Sequence, residues 1–101
     1  MIHVRQVRAQ GDVVLEYSGS LDVRGAEEIA FIALQQPLAL NLVIDISRAS
    51  NIHDSALGRL VDSLPRSRPH SVRGAGWHHA RLLTYLGEKI DEEASLKRAE
   101  E

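Results

Sequence analysis

The side chains able to do chemistry fall in two places: His53, Asp54 and Ser55 stand in a row, and His78 and His79 form a pair with His70 some positions before them. A serine, a histidine and an aspartate are the ingredients of a hydrolase. Three neighbours in sequence do not make a triad, however, and no nucleophile elbow of the G-x-S-x-G type occurs. Catalysis is therefore not expected, and no catalytic residue is assigned. The histidine pair suggests metal, but adjacent residues on a helix point about 100° apart, so His78 and His79 are not expected to chelate one ion together. Neither a metal nor a cofactor is assigned. Cysteine is absent, which removes thiolate nucleophiles, thiolate metal sites and disulfides together. The Asp54-Ser55 step remains. Both residue types are favoured helix N-caps, and at a helix start an anionic group meets orphan N–H donors and the positive end of the dipole.

The elements that must position this step follow from periodicity. Residues 2–7 alternate as a strand, with Ile2 and Val4 on one face and His3 and Arg5 on the other. Gly11-Asp12 marks a turn. Val13, Leu15 and Tyr17 then alternate with Val14, Glu16 and Ser18, giving a second strand and a hairpin. The period changes at Ala26, Ile29, Ala30 and Ala33, which predicts a helix over 24–35 closed by Pro37. Leu40 to Ile46 is nearly continuous in apolar residues, as for a strand buried on both faces near the sheet centre, with Asp45 its odd polar member. Residues 47–53 read as a polar loop. Leu57, Leu60, Val61 and Leu64 predict a helix stopped by Pro65.

The stretch 66–76 is rich in arginine, proline and glycine and offers only a reduced strand, His70-Ser71-Val72-Arg73. A last main helix starts near Trp77, with His79, Leu82, Leu83 and Leu86 on one stripe and Gly87 as its cap; Trp77 is expected to anchor it to the sheet. Residues 88–101 read as a charged helix or frayed tail, with Asp91 as a possible cap. Arg59, Arg66, Arg68, Arg73 and Arg81 read as a solvated face.

The order ββαβα(β)α predicts an α/β fold: a single small layered domain over 1–101, with a mixed four-stranded sheet and helices packed on it. Its 101 residues suffice for one core. A net charge of −2 supplies no field for nucleic acid, and aromatics at 4% are too few for a base-stacking platform. No apolar run approaches the ~18 residues that span a bilayer, and the opening residues lack a signal-peptide pattern. A cytoplasmic protein without membrane insertion is expected.

Three segments in this order resemble the STAS domain, the fold of anti-sigma factor antagonists. Tyr17-Ser18-Gly19-Ser20-Leu21-Asp22 is similar to the family's G-x-L-D at the end of the second strand. Leu42-Val43-Ile44-Asp45-Ile46-Ser47 resembles its central strand, and Ile52 to Leu60 its I-D-S-S-G-L segment, with Gly58 one position later than usual. Glu92-Glu93-Ala94 looks like a common C-terminal pattern of the family. The resemblance covers nearly the whole chain. It implies a bacterial regulatory protein of transcription signalling that docks an anti-sigma factor, itself a serine kinase. Ser55 matches the family's phosphoacceptor, and Asp22, Asp54, Ser55, Ala56, Gly58 and Arg59 match the docking surface. The resemblance leaves a second function open, a non-phosphorylated subunit bracing the ATPase of a bacterial lipid transporter. The short fourth strand leaves room for a homodimer completed across the sheet edge.

Overall fold

The computed structural model describes residues 1–7, 11–64 and 68–90. Its elements are β1 (Ile2–Val7), β2 (Asp12–Leu21), α1 (Val23–Ala33), β3 (Asn41–Ile52), α2 (Asp54–Ser63), β4 (His70–Arg73) and α3 (Trp77–Tyr85). They build a small α/β domain on one mixed sheet in the order β1-β2-β3-β4. β1 pairs antiparallel with β2, from Ile2 opposite Tyr17 to Val7 opposite Asp12. Both β2–β3 and β3–β4 are parallel, so each needs a helical crossover, supplied by α1 and α2.

The apolar spacing decides the layers. Val13, Leu15 and Tyr17 of β2 and Leu42, Ile44 and Ile46 of β3 share one core with Ala26, Ile29, Ala30 and Ala33 of α1. Leu57 and Leu60 of α2 and Ala80 and Leu83 of α3 complete it. Val14 and Val43 are buried as well, outside that core. In the first half of β3, Leu42, Ile44 and Ile46 face the core, while on the other face Val43 is buried, Asp45 intermediate and Asn41 exposed, so that face is covered only around Val43.

Several expectations are corrected. The polar loop expected over 47–53 is strand as far as Ile52: β2 runs on to Leu21, and Ser18–Leu21 pair with Arg48–Ile52 past two register shifts. The backbone ladder sustains this half, so its mostly exposed polar side chains carry no strand signal. Asp45 explains its own place there, accepting the Ser47 N–H at 2.9 Å where the strand changes register. α1 ends at Ala33, earlier than expected, and unwinds through turns that bond Gln35 to Ile32 and Gln36 to Ala33 before Pro37 arrives. Trp77 does not anchor α3, because its side chain stands half exposed at the first helical position. Arg68 is no part of a solvated face: it is buried and donates to the carbonyl oxygens of Pro37 (3.0 Å) and Leu38 (3.3 Å).

The fourth strand does form, against Leu42–Asp45 of β3. Its end is fixed by Gly74, whose φ of +84° suits glycine and whose added Cβ would lie 2.6 Å from the Ser47 nitrogen. α3 closes with Gly87 at φ +90°, the Gly87 N–H bonding Thr84 and the Glu88 N–H bonding Leu83; this is the Schellman arrangement expected from that glycine. Residues 88–90 are not helical. Lys89 accepts the Val72 N–H at 2.9 Å and Ile90 bridges to Val72, which occupies part of the β4 edge proposed for a dimer. Pro65, Arg66, Asp91 and Glu92-Glu93-Ala94 lie outside the described residues.

Candidate functional site at the helix starts

β2 and β3 end level. Leu21 pairs with Ile52, and the His53 N–H bonds the Leu21 carbonyl at 3.0 Å. Each chain then turns directly into a helix, so α1 and α2 begin side by side at one sheet edge. Asp22 is the N-cap of α1; its Oδ1 accepts the Gly25 N–H at 2.9 Å. The cap of α2 is His53, in an extended conformation and without a side-chain bond to the helix. Neither Asp54 nor Ser55 is therefore a cap. They fill the first two helical positions, where amide N–H groups have no intrahelical acceptor, and Asp54 places a carboxylate in the first turn.

Asp54, Ser55 and Arg59 are exposed, as is Asp22. Arg59 lies four residues after Ser55 and so on the same helix face. Gly58 is half-buried, with nothing within 4 Å of an added Cβ. Ala56, expected in the docking set, is fully buried in the core, which removes its side chain from any docking surface. His53 does not couple to Ser55: among the described residues its ring meets Asn51, at 3.5 Å. Ser55 thus stands among exposed polar and charged side chains.

β4 ends at Arg73, opposite Asp45 in the middle of β3, and Gly74 to Gly76 carry the chain on to the start of α3, which lies against the start of α2. His78 Nε2 lies 3.3 Å and 3.4 Å from the two carboxylate oxygens of Asp54, and His79 Nε2 lies 3.5 Å from Oδ1. The two imidazoles stand edge to face, 5.0 Å apart at 74°. The geometric premise that kept these histidines apart is thus corrected. The 100° offset applies where the side chains leave the helix, and the rings reach back to a common acceptor on α2.

A second cluster sits away from this edge. His70 Nδ1 lies 2.9 Å from the Arg68 carbonyl oxygen, and its Nε2 contacts the Glu88 carboxylate. Both partners are acceptors, so only the protonated ring can donate to both. The bond to Glu88 raises the His70 pKa, burial opposes the shift, and the Arg68 carbonyl adds to it. The sequence marks His70 but gives no sign of its pairing with Glu88, because the two meet only through the turn after α3.

No family model matches the chain, and no curated protein sequence matches it. Five chains of solved structures do match. One of them, the anti-sigma factor antagonist SpoIIAA in its unphosphorylated form, aligns over 99% of this chain and 98% of its own, with a TM-score of 0.60 and 17% identity. The chain has the STAS fold. At that identity the likeness is one of fold, and it agrees with the mixed four-stranded sheet and three helices of the described residues. No helix among the described residues is long and apolar enough to cross a membrane.

Proposed function

We propose that this STAS-fold chain is a regulatory module that docks an anti-sigma factor with serine-kinase activity through the edge bearing Asp22, Asp54, Ser55 and Arg59. Phosphorylation of Ser55 switches the docking off. The observation that carries this reading is the exposure of Ser55 at the second position of α2, within an open, polar and charged surface. The kinase transfers the γ-phosphoryl group of ATP to the Ser55 hydroxyl oxygen, ADP leaves, and the hydroxyl proton passes to the kinase's own base. The product adds about −1.5 to −2 charges, which the helix N-terminus accommodates without refolding. Laid into an interface with acidic groups, the same charge repels the partner. An exposed surface suits docking, whereas a hydrolase would need the serine enclosed with its base.

The test is to mix the chain with ATP and an anti-sigma kinase and to locate phosphate by mass spectrometry. Modification of Ser55 with loss of the complex supports the proposal. No phosphate and no complex overturns it. A complex with a transporter ATPase, formed without phosphate on Ser55 and unaffected by Ser55→Asp, would replace it with the bracing role.

A further inference from the structure

We propose that Asp54, His78 and His79 form a site for one transition-metal ion of the Zn2+ class, joining the first turns of α2 and α3. The inference stands on the geometry of three side chains and does not depend on the docking reading.

The donor set comes first. Two imidazole nitrogens and a carboxylate oxygen suit zinc and its borderline neighbours, whereas magnesium and calcium take oxygen ligands. Spacing comes second. With metal–nitrogen and metal–oxygen bonds of about 2.0–2.2 Å, two donors at adjacent tetrahedral corners stand roughly 3.3–3.5 Å apart. His78 Nε2 and His79 Nε2 lie 3.3 Å and 3.5 Å from Asp54 Oδ1. One donor atom from each of the three residues falls within 4.8 Å of the other two. The two separations to Asp54 already match this spacing, and the imidazole nitrogens lie within 4.8 Å of each other, a gap that rotation of two partly exposed rings can close.

Access and electrostatics agree. The His78 and Asp54 side chains are 71% and 60% exposed and that of His79 22%, so an ion can enter and a solvent molecule can complete the shell. The positive ends of α2 and α3 oppose a cation, but only as a screened surface effect, and the Asp54 carboxylate lies between them. Because Asp54 precedes Ser55, a bound ion fixes the residue beside the serine and ties the start of α2 to α3.

Isothermal titration of the full chain with ZnCl2, and with CoCl2 followed by visible absorption, tests the site. The expected result is one ion per chain, a tetrahedral cobalt spectrum and no response to MgCl2. His78→Ala and His79→Ala should each weaken zinc at least about tenfold, while His3→Ala, on β1, binds as the parent does. In the unmodified protein, zinc should shift the imidazole nitrogen resonances of His78 and His79 but not those of His3 or His70. No saturable zinc binding overturns the proposal. So does zinc affinity unchanged in a folded His78→Ala/His79→Ala double variant, or resonance shifts confined to other histidines.

Discussion

The His53 N–H meets the Leu21 carbonyl oxygen at 3.0 Å, and this bond levels the ends of two parallel strands. The residues that follow, Asp22 on one side and Asp54 on the other, therefore start two helices from one edge. They do different things there. Asp22 bonds its own helix, whereas Asp54 turns to α3.

This difference predicts separable effects at Asp22. Asp22→Ala removes the acceptor of the Gly25 N–H and should cost about 0.5–2 kcal/mol in urea unfolding. Asp22→Ser keeps a capping oxygen and should hold stability close to the parent while deleting the charge. Partner affinity measured on the serine variant therefore reads the carboxylate's part in docking without a folding loss.

Two glycines on neighbouring helices should respond with opposite sign. A Cβ on Gly25 would overlap the Tyr17 hydroxyl and lie 2.9 Å from Tyr17 Cζ, and that hydroxyl is held by its bond to the Ser20 carbonyl at 2.8 Å. Gly25→Ala should destabilise by about 1–3 kcal/mol through overpacking. Gly58 has open space and ordinary helical φ, so Gly58→Ala should stabilise by about 0.5–1 kcal/mol. Chemical unfolding of both variants checks the pair.

Where side chains packed with a clear period, their sequence was enough to place them. Leu57, Leu60 and Leu64 recur at helical spacing and are buried; Val13, Leu15 and Tyr17 alternate and are buried. The second half of β3 was not legible because main-chain bonds to β2 hold it and its polar side chains resemble a loop. Trp77 misled through its type, since an apolar side chain at a helix start need not face the core. Arg68 misled in the other direction: its guanidinium is buried because two loop carbonyls receive it. At the candidate site, Asp54 and Ser55 were legible as a helix start. The meeting of Asp54 with His78 and His79 was not, because these residues lie on two helices that only the folded packing brings together.

Stability should fall with rising pH through the His70–Glu88 contact. The folded-state pKa of His70 lies above its ordinary value near 6.5, chiefly through its bond to Glu88. The folded protein therefore holds this proton more tightly than the unfolded chain. The resulting stabilisation is complete below the unfolded pKa of about 6.5 and disappears as pH rises through the raised folded value. Urea midpoints measured upward from pH 6 should decline for the parent protein, and Glu88→Gln should flatten this decline. An NMR titration of His70 should give a midpoint above that of a histidine in an unfolded peptide.

At Ser55, stability and docking should move apart. The side chain is exposed, so Ser55→Ala should change stability by no more than about 0.5 kcal/mol. Ser55→Asp puts a carboxylate at the second position of α2, where the helix dipole favours an anion by about 0.3–1 kcal/mol. Asp54 beside it repels the added charge, so the gain should lie at the low end and grow when Asp54→Asn is combined with it. For docking the order reverses: Ser55→Ala should bind the partner as the parent does, and Ser55→Asp should bind more weakly, because its charge enters the interface. Urea unfolding and titration calorimetry on the same preparations give both quantities. If Ser55→Asp lost stability and affinity together, its weaker binding would reflect damage to the helix start rather than an electrostatic switch.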